Sequence, residues 1–191
     1  MVGLFGGSFD PIHHGHLIVA RIAAEVLGLD QVRFMPARAQ PLKGGRHGAD
    51  AGQRAAMVEL AIAGEPRFAL EAIELGRAGY SYTVDTLRAL REREPGLEPV
   101  LLLGMDAAAD LPRWKESAAV LDLARVAVFA RAGSPVLEVP GVWRVVDVPA
   151  LEISATALRR RAAAGRSIRY WVPDAVADYV ATHGLYRDGD G

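Results

Sequence analysis

Short β-like runs alternate with helical patterns along this chain, and that alternation limits the possible folds more than any other feature. The runs Val2 to Phe5 and Val32 to Met35 have strand character, and residues 15–27 between them have helical periodicity. The fully apolar run Val100 to Leu103 is typical of a strand buried on both faces of a sheet. The alternation predicts a Rossmann-like, doubly wound α/β fold, with one parallel sheet and helices on both faces.

The remaining periodic segments continue the same alternation. We predict further strands at 68–75, 125–130 and 143–148, and helices from Asp50 through Ile62, at 83–93, after Trp114, at 156–164 and at 174–182. Asp50 and Gln53 have the spacing of a capping box at the start of the second helix.

The first predicted helix carries a broad apolar face. The residues of that face are Leu17, Ile18, Ala20, Ile22, Ala24, Val26 and Leu27. Arg21 and Glu25, four residues apart on the other side, predict a surface ion pair. Ligands of such sheets bind beyond the carboxyl ends of the strands, which is where the glycine-rich turn after the first strand lies.

Length and charge limit the domain count and the partners. The chain has 191 residues, which suits one compact domain, and we expect a single domain at 1–187 and a flexible tail at 188–191. Its 22 Lys and Arg and 23 Asp and Glu leave a formal charge of −1, whereas nucleic-acid-binding proteins usually carry a basic excess. We therefore expect small anionic ligands as partners and no nucleic acid.

Composition also bears on location. The absence of cysteine excludes disulfides, thiolate zinc sites and cysteine nucleophiles. Met1 is followed at once by a strand-like run, without the charged and apolar regions of a signal peptide. The apolar runs are far shorter than the ~20 residues that span a bilayer. We expect a cytoplasmic protein that does not bind membranes.

The segment from Gly6 to Leu17, GGSFDPIHHGHL, carries most of the chemical information. Gly6 and Gly7 let the backbone turn tightly and approach a ligand. Gly15 opens a helix whose free N–H groups and positive dipole end favour an anion. His13 and His16 flank this helix start, where imidazoles can donate hydrogen bonds to phosphate oxygens and are favoured as cations once phosphate is bound.

Two other interpretations of this segment stay open at this point. Glycine-rich turns between a strand and a helix are common and need not bind anything. A metal site formed by His13, His14 and His16 is the second alternative, but adjacent histidines point in divergent directions and no carboxylate-rich partner segment is obvious. We therefore predict no metal bound by the protein itself.

The pattern His13-x-Gly15-His16 resembles the HxGH signature of the nucleotidyltransferase superfamily. Ile153 to Arg159, ISATALR, resembles the ISxTxxR element of the same superfamily. Without the first motif, Ser154 could simply cap a helix with a basic surface face. Two elements in the right order, some 140 residues apart, favour functional roles for Ser154, Thr156 and Arg159, and surface roles for Arg160 and Arg161.

Within that superfamily, the chain resembles the bacterial nicotinate-nucleotide adenylyltransferases over nearly its whole length. Other family-like segments are Ser81-Tyr82-Thr83, Asp85-Thr86-Leu87, Gly104-Met105-Asp106, Leu111 to Trp114, and Gly184-Leu185-Tyr186. Family members join ATP and nicotinate mononucleotide into nicotinate adenine dinucleotide, with release of pyrophosphate, in NAD biosynthesis. The resemblance therefore implies an adenylyltransferase with the fold of the HxGH nucleotidyltransferases.

The chain departs from the family pattern at two places. Many members carry Pro-Pro-His-Lys after the second strand, where this chain has Gln40 to Lys43 with Leu42 in the place of the histidine. Many have Arg-Pro-Gly after the fifth strand, where this chain has Ala132 between Arg131 and Gly133. Both departures concern the triphosphate side of the implied site.

The resemblance implies phosphate-binding roles for four catalytic residues. His13 and His16 contact the ATP phosphates, with His16 at the reacting one, and Lys43 and Arg159 neutralise the β- and γ-phosphates. The implied ATP-binding residues are Gly6, Gly7, Ser8, Phe9, His13, His16, Gly104, Asp106, Arg131, Ile153, Ser154, Thr156 and Arg159. Asp106 would accept from a ribose hydroxyl.

The implied acceptor site lies elsewhere in the chain. Tyr82 and Thr83 stand at a helix start that can bind a carboxylate, and Trp114 offers a stacking face. Ordinary core packing explains Trp114 nearly as well. Gly104 is equally explained as the end of a strand, and Arg131 as a plain loop charge.

The implied reaction suits these residue types. The acceptor phosphate is already an anion at neutral pH, so no strong general base is needed, and positioning and electrostatics supply the catalysis. Magnesium is expected to arrive on the ATP phosphates, because it prefers phosphate oxygens and water.

The alternative functions are a preference for nicotinamide mononucleotide or phosphopantetheine as acceptor, and a non-catalytic ATP-binding sensor. A homo-oligomer is possible.

Overall fold

The computed structural model describes residues 1–38, 48–77, 79–131 and 140–187, without the side chain of Arg131. The described residues do not include Lys43, Leu42, Ala132 or residues 188–191.

The described strands form one parallel sheet. They are β1 (Val2–Gly7), β2 (Gln31–Pro36), β3 (Phe68–Leu70), β4 (Pro99–Gly104), β5 (Arg125–Arg131) and β6 (Val142–Val148). Their order is β3-β2-β1-β4-β5-β6, and every neighbouring pair is parallel. This is the Rossmann-like strand order, in which the chain reverses its direction of winding between β1 and β4. The predicted parallel sheet is confirmed.

The described helices connect these strands. They are α1 (His14–Val26), α2 (Ala51–Ile62), α3 (Thr83–Arg93), α4 (Met105–Ala109), α5 (Ser117–Leu123), α6 (Ala155–Ala163) and α7 (Asp174–Thr182). A 3₁₀ turn at Leu111–Arg113 follows α4. Within the described part of the chain, no helix combines the length and the apolar composition needed to cross a membrane.

The sheet is covered by helices on both faces, as the alternation predicts. Along β4, Val100 and Leu102 pack into a core cluster with α1, α2, α6 and α7, whereas Leu101 and Leu103 pack into a second cluster with α3, α4 and α5. Successive side chains of a strand point to opposite faces, so a strand covered on both sides is apolar at every position. The fully apolar run is therefore explained by the two layers of helices.

One predicted helix start and one surface pair are confirmed. The Asp50 carboxylate accepts from the Gln53 N–H at 2.8 Å, and the Gln53 side chain accepts from the Asp50 N–H at 2.9 Å. Arg21 Nε donates to Glu25 at 2.6 Å on the exposed face of α1.

The predicted apolar face of α1 is only partly right. Ile18 and Val26 are 37% and 63% exposed, and the buried stripe is formed by small residues, Ala20, Ala23 and Ala24. Small side chains let a helix approach the sheet closely, while Leu17, Val19 and Ile22 beside the stripe pack only partly buried against the core. Periodicity alone cannot distinguish these two arrangements.

The predicted strand at 68–75 is wrong beyond Leu70. From Ala72 onward, turn hydrogen bonds replace the sheet ladder: the Leu75 N–H donates to Ala72 O at 3.0 Å, and the Arg77 N–H to Glu74 O at 3.4 Å. The short helix α4 was not predicted, because five residues are too few to show a periodicity.

Candidate functional site

The glycine-rich turn lies at the carboxyl end of β1, which continues through Gly6 and Gly7 instead of ending at Phe5. A Cβ on Gly7 would lie 2.8 Å from the ring of Phe9, which is buried and has a left-handed backbone conformation, with φ of 49°. Only glycine leaves room for this ring. The turn therefore brings the backbone of residues 6–8 to the carboxyl edge of the sheet, where ligands of such folds bind.

The two motif histidines stack at the start of α1. The ring centroids of His13 and His16 are 3.7 Å apart, with an interplanar angle of 23°. A Cβ on Gly15 would lie 3.0 Å from His13 Nδ1 and 3.8 Å from Ile153 Cβ. The glycine between the histidines therefore makes space for the His13 ring, in addition to opening the helix.

His13 is held in its neutral form. Its side chain is buried, with 6% exposed, and no protein group hydrogen-bonds Nδ1 in the described structure. Burial, with a smaller contribution from the charge of nearby His14, lowers the pKa of His13 to about 4. A buried polar atom without a partner costs ~1–3 kcal/mol and commonly marks a site completed by a ligand.

His16 has a defined tautomer. Its Nδ1 accepts from the His13 backbone N–H at 3.2 Å, so the neutral ring carries its proton on Nε2. Phe5 and Phe9 contact the ring edge-on, at centroid distances of 6.1 and 5.1 Å. The ring is thus oriented by its apolar neighbours and by the backbone of His13.

The second motif meets the first in space. Arg159 Nη1 donates to the backbone carbonyl of Asp10 at 2.8 Å, and Arg159 Nη2 lies 3.4 Å from Thr156 Oγ1. Ser154 caps α6 by accepting from the Ala157 N–H at 3.2 Å, which leaves its hydroxyl proton to donate. Two segments 149 residues apart in sequence therefore meet at the carboxyl edge of the sheet.

A cleft of about 410 Å³ opens beside this motif. Ile153 and Ser154 line it together with Arg160 and Trp171. Arg160 is exposed, as expected for a surface residue, whereas the guanidinium of Arg161 lies over the Trp171 ring, 4.4 Å from its centroid.

A buried acidic residue inside the first motif was not assigned a role from the sequence. Asp10 is 2% exposed, and its carboxylate accepts from the Gly48 N–H at 2.7 Å, the Ala49 N–H at 3.1 Å and the Tyr186 hydroxyl at 2.7 Å. Burial and the Asp10 charge raise the pKa of Tyr186. Tyr186 belongs to a family-like segment of the sequence, but only the fold shows that it contacts Asp10.

Arg54 was also missed. It is fully buried in α2, and it donates to Ser8 O at 2.8 Å and to Arg38 O at 3.3 Å. Burial lowers its pKa, against the opposing charge of Asp10. Arg54 thus ties the glycine-rich turn to the segment after β2, and no pattern in the sequence distinguishes it from a surface arginine.

The residues implied for adenosine lie at the same edge of the sheet. Gly104 ends β4 and precedes α4, and Asp106 lies in the first turn of that helix, with both residues exposed. β5 ends beside them at Arg131, whose side chain lies outside the described part.

The implied acceptor residues lie at the start of α3. Tyr82 precedes the helix without capping it by its side chain, and Thr83 is the first helical residue. Trp114 is half-buried and packs against the core cluster on that face of the sheet, so core packing accounts for part of its surface. Lys115 Nζ lies 4.9 Å above the Tyr82 ring and 3.0 Å from Asp85.

The donor set does not suggest a protein-held metal. Within residues 1–38, 48–77, 79–131 and 140–187, no three His, Asp or Glu side chains lie close enough together to hold an ion.

Comparison with known proteins agrees with this geometry. Residues 4–161 match the model of the cytidylyltransferase-like family. The "Probable nicotinate-nucleotide adenylyltransferase" of Roseiflexus sp. is 46% identical, covering 97% of this chain and 98% of the relative, and the protein of the same name from Thermus thermophilus is 48% identical, covering 97% and 99%.

A solved structure shows the same fold at low identity. The Plasmodium falciparum nicotinic acid mononucleotide adenylyltransferase complexed with NaAD aligns with a TM-score of 0.80 at 20% identity, covering 97% of this chain and 96% of that one. With both HxGH-type and ISxTxxR-type segments brought together at the carboxyl edge of the sheet, and with relatives of this identity over nearly the full length, the chain belongs to the nicotinate-nucleotide adenylyltransferase family.

Proposed function

We propose that this chain transfers the AMP part of ATP to nicotinate mononucleotide, giving nicotinate adenine dinucleotide and pyrophosphate. One observation carries the proposal: His13 and His16 stack at the start of α1, and the backbone carbonyl of Asp10, three residues before His13, accepts from Arg159 of the second motif. The names of the full-length relatives and the NaAD bound to the Plasmodium protein identify the acceptor.

The reaction proceeds by in-line attack. An oxygen of the acceptor phosphate forms the new bond to the α-phosphorus of ATP as the bond to the bridging oxygen breaks and pyrophosphate leaves with that electron pair. The attacking oxygen is already ionised, so the protein positions the two anions and stabilises charge on the transferring and leaving oxygens.

The histidines act as donors at the reacting phosphate. His16, with its proton on Nε2, hydrogen-bonds an α-phosphate oxygen, and its Phe5 and Phe9 contacts hold the ring in place. His13 is neutral in the free protein, and a bound polyphosphate would favour its protonation by opposite charge. The backbone of Gly6, Gly7, Ser8 and Phe9 lines the path of the phosphates.

The second motif and two cationic side chains bind the pyrophosphate that leaves. Arg159 and Lys43 neutralise the β- and γ-phosphates, and Ser154 and Thr156 donate from the start of α6, whose dipole also favours an anion. Ile153 supports this helix start against Gly15. Gly104, Asp106 and Arg131 serve the adenosine side at the ends of β4 and β5.

The acceptor binds across the sheet, at the start of α3. The free N–H groups of this helix start receive the nicotinate carboxylate, next to Thr83, while Tyr82 and Trp114 flank the ring. Magnesium enters as part of the Mg-ATP substrate, since phosphate oxygens and water are its preferred ligands.

The domain bounds, the cellular location and the partners of the chain are part of the same proposal. We propose that residues 1–187 form one catalytic domain that works in the cytoplasm, where its substrate ATP is made, without nucleic acid or membrane partners. Sedimentation at several protein concentrations tests whether the chain forms a homo-oligomer.

The test is pyrophosphate release from Mg-ATP in parallel reactions with nicotinate mononucleotide, nicotinamide mononucleotide and phosphopantetheine. We expect a clear preference for nicotinate mononucleotide. Preference for another acceptor would keep the phosphate chemistry but contradict the acceptor assignment of Tyr82, Thr83 and Trp114. Binding of ATP without turnover of any acceptor would make the protein a sensor and overturn the proposal.

A further inference from the structure

A strap, defined here as residues 71–77, follows β3 and runs along α3 in the opposite direction, with Glu71 and Glu74 buried. At the end of α3, Arg93 forms an ion pair with Glu71 of the strap at 2.5 Å. At the start of α3, Arg77 donates to Thr86 Oγ1 at 3.2 Å and to Asp85 O at 3.1 Å. The strap therefore contacts α3 near both of its ends, with one polar cluster at each end.

Two members of the cluster at the start of α3 are almost completely buried. Glu74 is 5% exposed and Thr86 is 0% exposed, with 2.9 Å between Glu74 Oε1 and Thr86 Oγ1. A hydroxyl has one proton, so Thr86 donates to Glu74 and accepts from Arg77. Burial raises the pKa of Glu74, and its hydrogen bonds from Thr86 and Ser81 oppose that rise.

The same cluster reaches the chain that enters α3. Thr86 Oγ1 lies 3.3 Å from Tyr82 O. From the other side, the Arg38 N–H donates to Ser81 Oγ at 3.3 Å, and Arg38 Nη1 donates to Arg77 O at 2.9 Å. Because Tyr82 does not cap the helix with its own side chain, these contacts fix where the first N–H groups of α3 point.

We propose that Glu74, Thr86 and Arg77 are positioning residues for acceptor specificity: they hold the start of α3 in the geometry that receives the acceptor's carboxylate. This inference rests on the proposed function. None of the three touches substrate; they act through Tyr82 and Thr83. A carboxylate gains from donors only if these are already in place, because ordering them upon binding costs affinity. A neutral amide gains less from the same donors.

The chain provides a matched control in the same strap. Glu71 is as buried as Glu74, at 5% exposed, but it pairs with Arg33 and Arg93 and lies at the far end of α3. Glu71→Gln and Glu74→Gln each replace a buried carboxylate by a neutral amide of the same size, and the melting temperature of each variant measures the cost in stability. A difference between them in kinetics must come from which end of α3 is disturbed.

The experiment measures KM and kcat of Thr86→Val, Thr86→Ser, Glu74→Gln and Glu71→Gln, with ATP and acceptor varied separately. We expect Thr86→Val and Glu74→Gln to raise the acceptor KM about tenfold, the equivalent of roughly one hydrogen bond, with the KM for ATP within about twofold of wild type. Their preference for nicotinate over nicotinamide mononucleotide should fall by a similar factor. Thr86→Ser, which keeps the hydroxyl, and Glu71→Gln should keep the wild-type acceptor KM.

Two results would overturn the inference: an unchanged acceptor KM in both Thr86→Val and Glu74→Gln, or an equal rise in Glu71→Gln at the same loss of melting temperature. If Thr86→Val does not fold, Glu74→Gln decides alone. Failure of the proposed function is a separate result, seen as absence of turnover of nicotinate mononucleotide by the wild-type protein.

Discussion

At the scale of single residues, His13 lies at the proposed phosphate site but in a buried environment that disfavours its charged form. The motif predicts that His13 and His16 lie together at a helix start, and the structure agrees. The motif does not predict that the two rings stack, or that burial keeps His13 neutral. A Cβ at Gly15 would lie 3.0 Å from His13 Nδ1 and 3.8 Å from Ile153 Cβ, so this end of α1 is closely packed. Both properties depend on that packing, which only the fold brings about.

Burial of neutral His13 makes the fold sensitive to acid. The folded-state pKa of about 4 lies below the ordinary histidine pKa of 6.5, so the unfolded chain binds more protons between these pH values. This contribution to stability is complete above pH 6.5 and is lost as pH falls toward 4. Between pH 7 and pH 4, we expect the free energy of unfolding of wild type to fall about 3 kcal/mol more than that of His13→Asn.

Urea unfolding of both proteins at several pH values measures this difference. Groups other than His13 titrate in both proteins and cancel. Parallel pH profiles for wild type and variant would show that His13 is not held neutral by the fold.

The assigned role of His16 predicts a large loss of turnover. In His16→Ala, kcat should fall by about 10³, because a positioned donor to the reacting phosphate is removed. The melting temperature should change little, since the ring is only partly buried. His183→Ala is the control: that ring stacks on Tyr179 at the end of α7, at 3.9 Å, and its loss should leave kcat unchanged. Near-normal turnover of His16→Ala would contradict the role of His16 as a donor to the reacting phosphate.

At the scale of elements, the start of α1 requires a glycine because of the space that the His13 ring needs, although helix propensity favours alanine. Alanine favours a helix interior over glycine by ~1 kcal/mol, so Gly15→Ala gains helix stability. The added Cβ, however, would lie 3.0 Å from His13 Nδ1 and displace the ring. We expect kcat to fall about tenfold or more while the melting temperature changes by only a few degrees.

Gly52→Ala provides the matched control for this substitution. Gly52 is the second residue of α2, as Gly15 is of α1, and its added Cβ would meet only Asp50 Oδ1, at 3.3 Å. Its kcat should equal that of wild type. Equal kinetic losses in the two variants would mean that helix backbone effects, and not His13, are responsible.

The long and strongly periodic elements were predicted from the sequence, and the short ones were not. β4 was predictable because four successive apolar residues need two covering layers. The end of β3 was not predictable, because the apolar residues after Leu70 continue its strand-like pattern while turn hydrogen bonds redirect the chain. The burial of Ala23 and the exposure of Ile18 and Val26 in α1 were not predicted, because alanine is compatible with both the inside and the outside of a protein.

At the scale of the whole molecule, the site depends on contacts between distant parts of the chain. Resemblance of two motifs to known ones predicts that they cooperate, but it does not predict the hydrogen bond from Arg159 to Asp10 O or the contact of Tyr186 with the Asp10 carboxylate. Periodicity describes neighbours in sequence, whereas these contacts follow from the strand order and from how α6 and α7 return across the sheet.

Removal of the Tyr186 hydroxyl should weaken the whole fold. Tyr186→Phe leaves the buried Asp10 carboxylate with the Gly48 and Ala49 N–H groups but without its third donor, at an expected cost of about 1–3 kcal/mol. Urea unfolding measures the change. Tyr80→Phe, at a position 51% exposed, is the control and should change the free energy of unfolding by less than about 0.5 kcal/mol. Equal stability of the two variants would contradict the structural role of the Asp10–Tyr186 hydrogen bond.

The Asp10–Tyr186 contact also has a consequence for how the protein is made. Asp10 is synthesised 176 residues before Tyr186. During synthesis, the first histidine motif therefore lacks one of the donors to its acidic residue until the later part of the chain has been made and has folded back onto it.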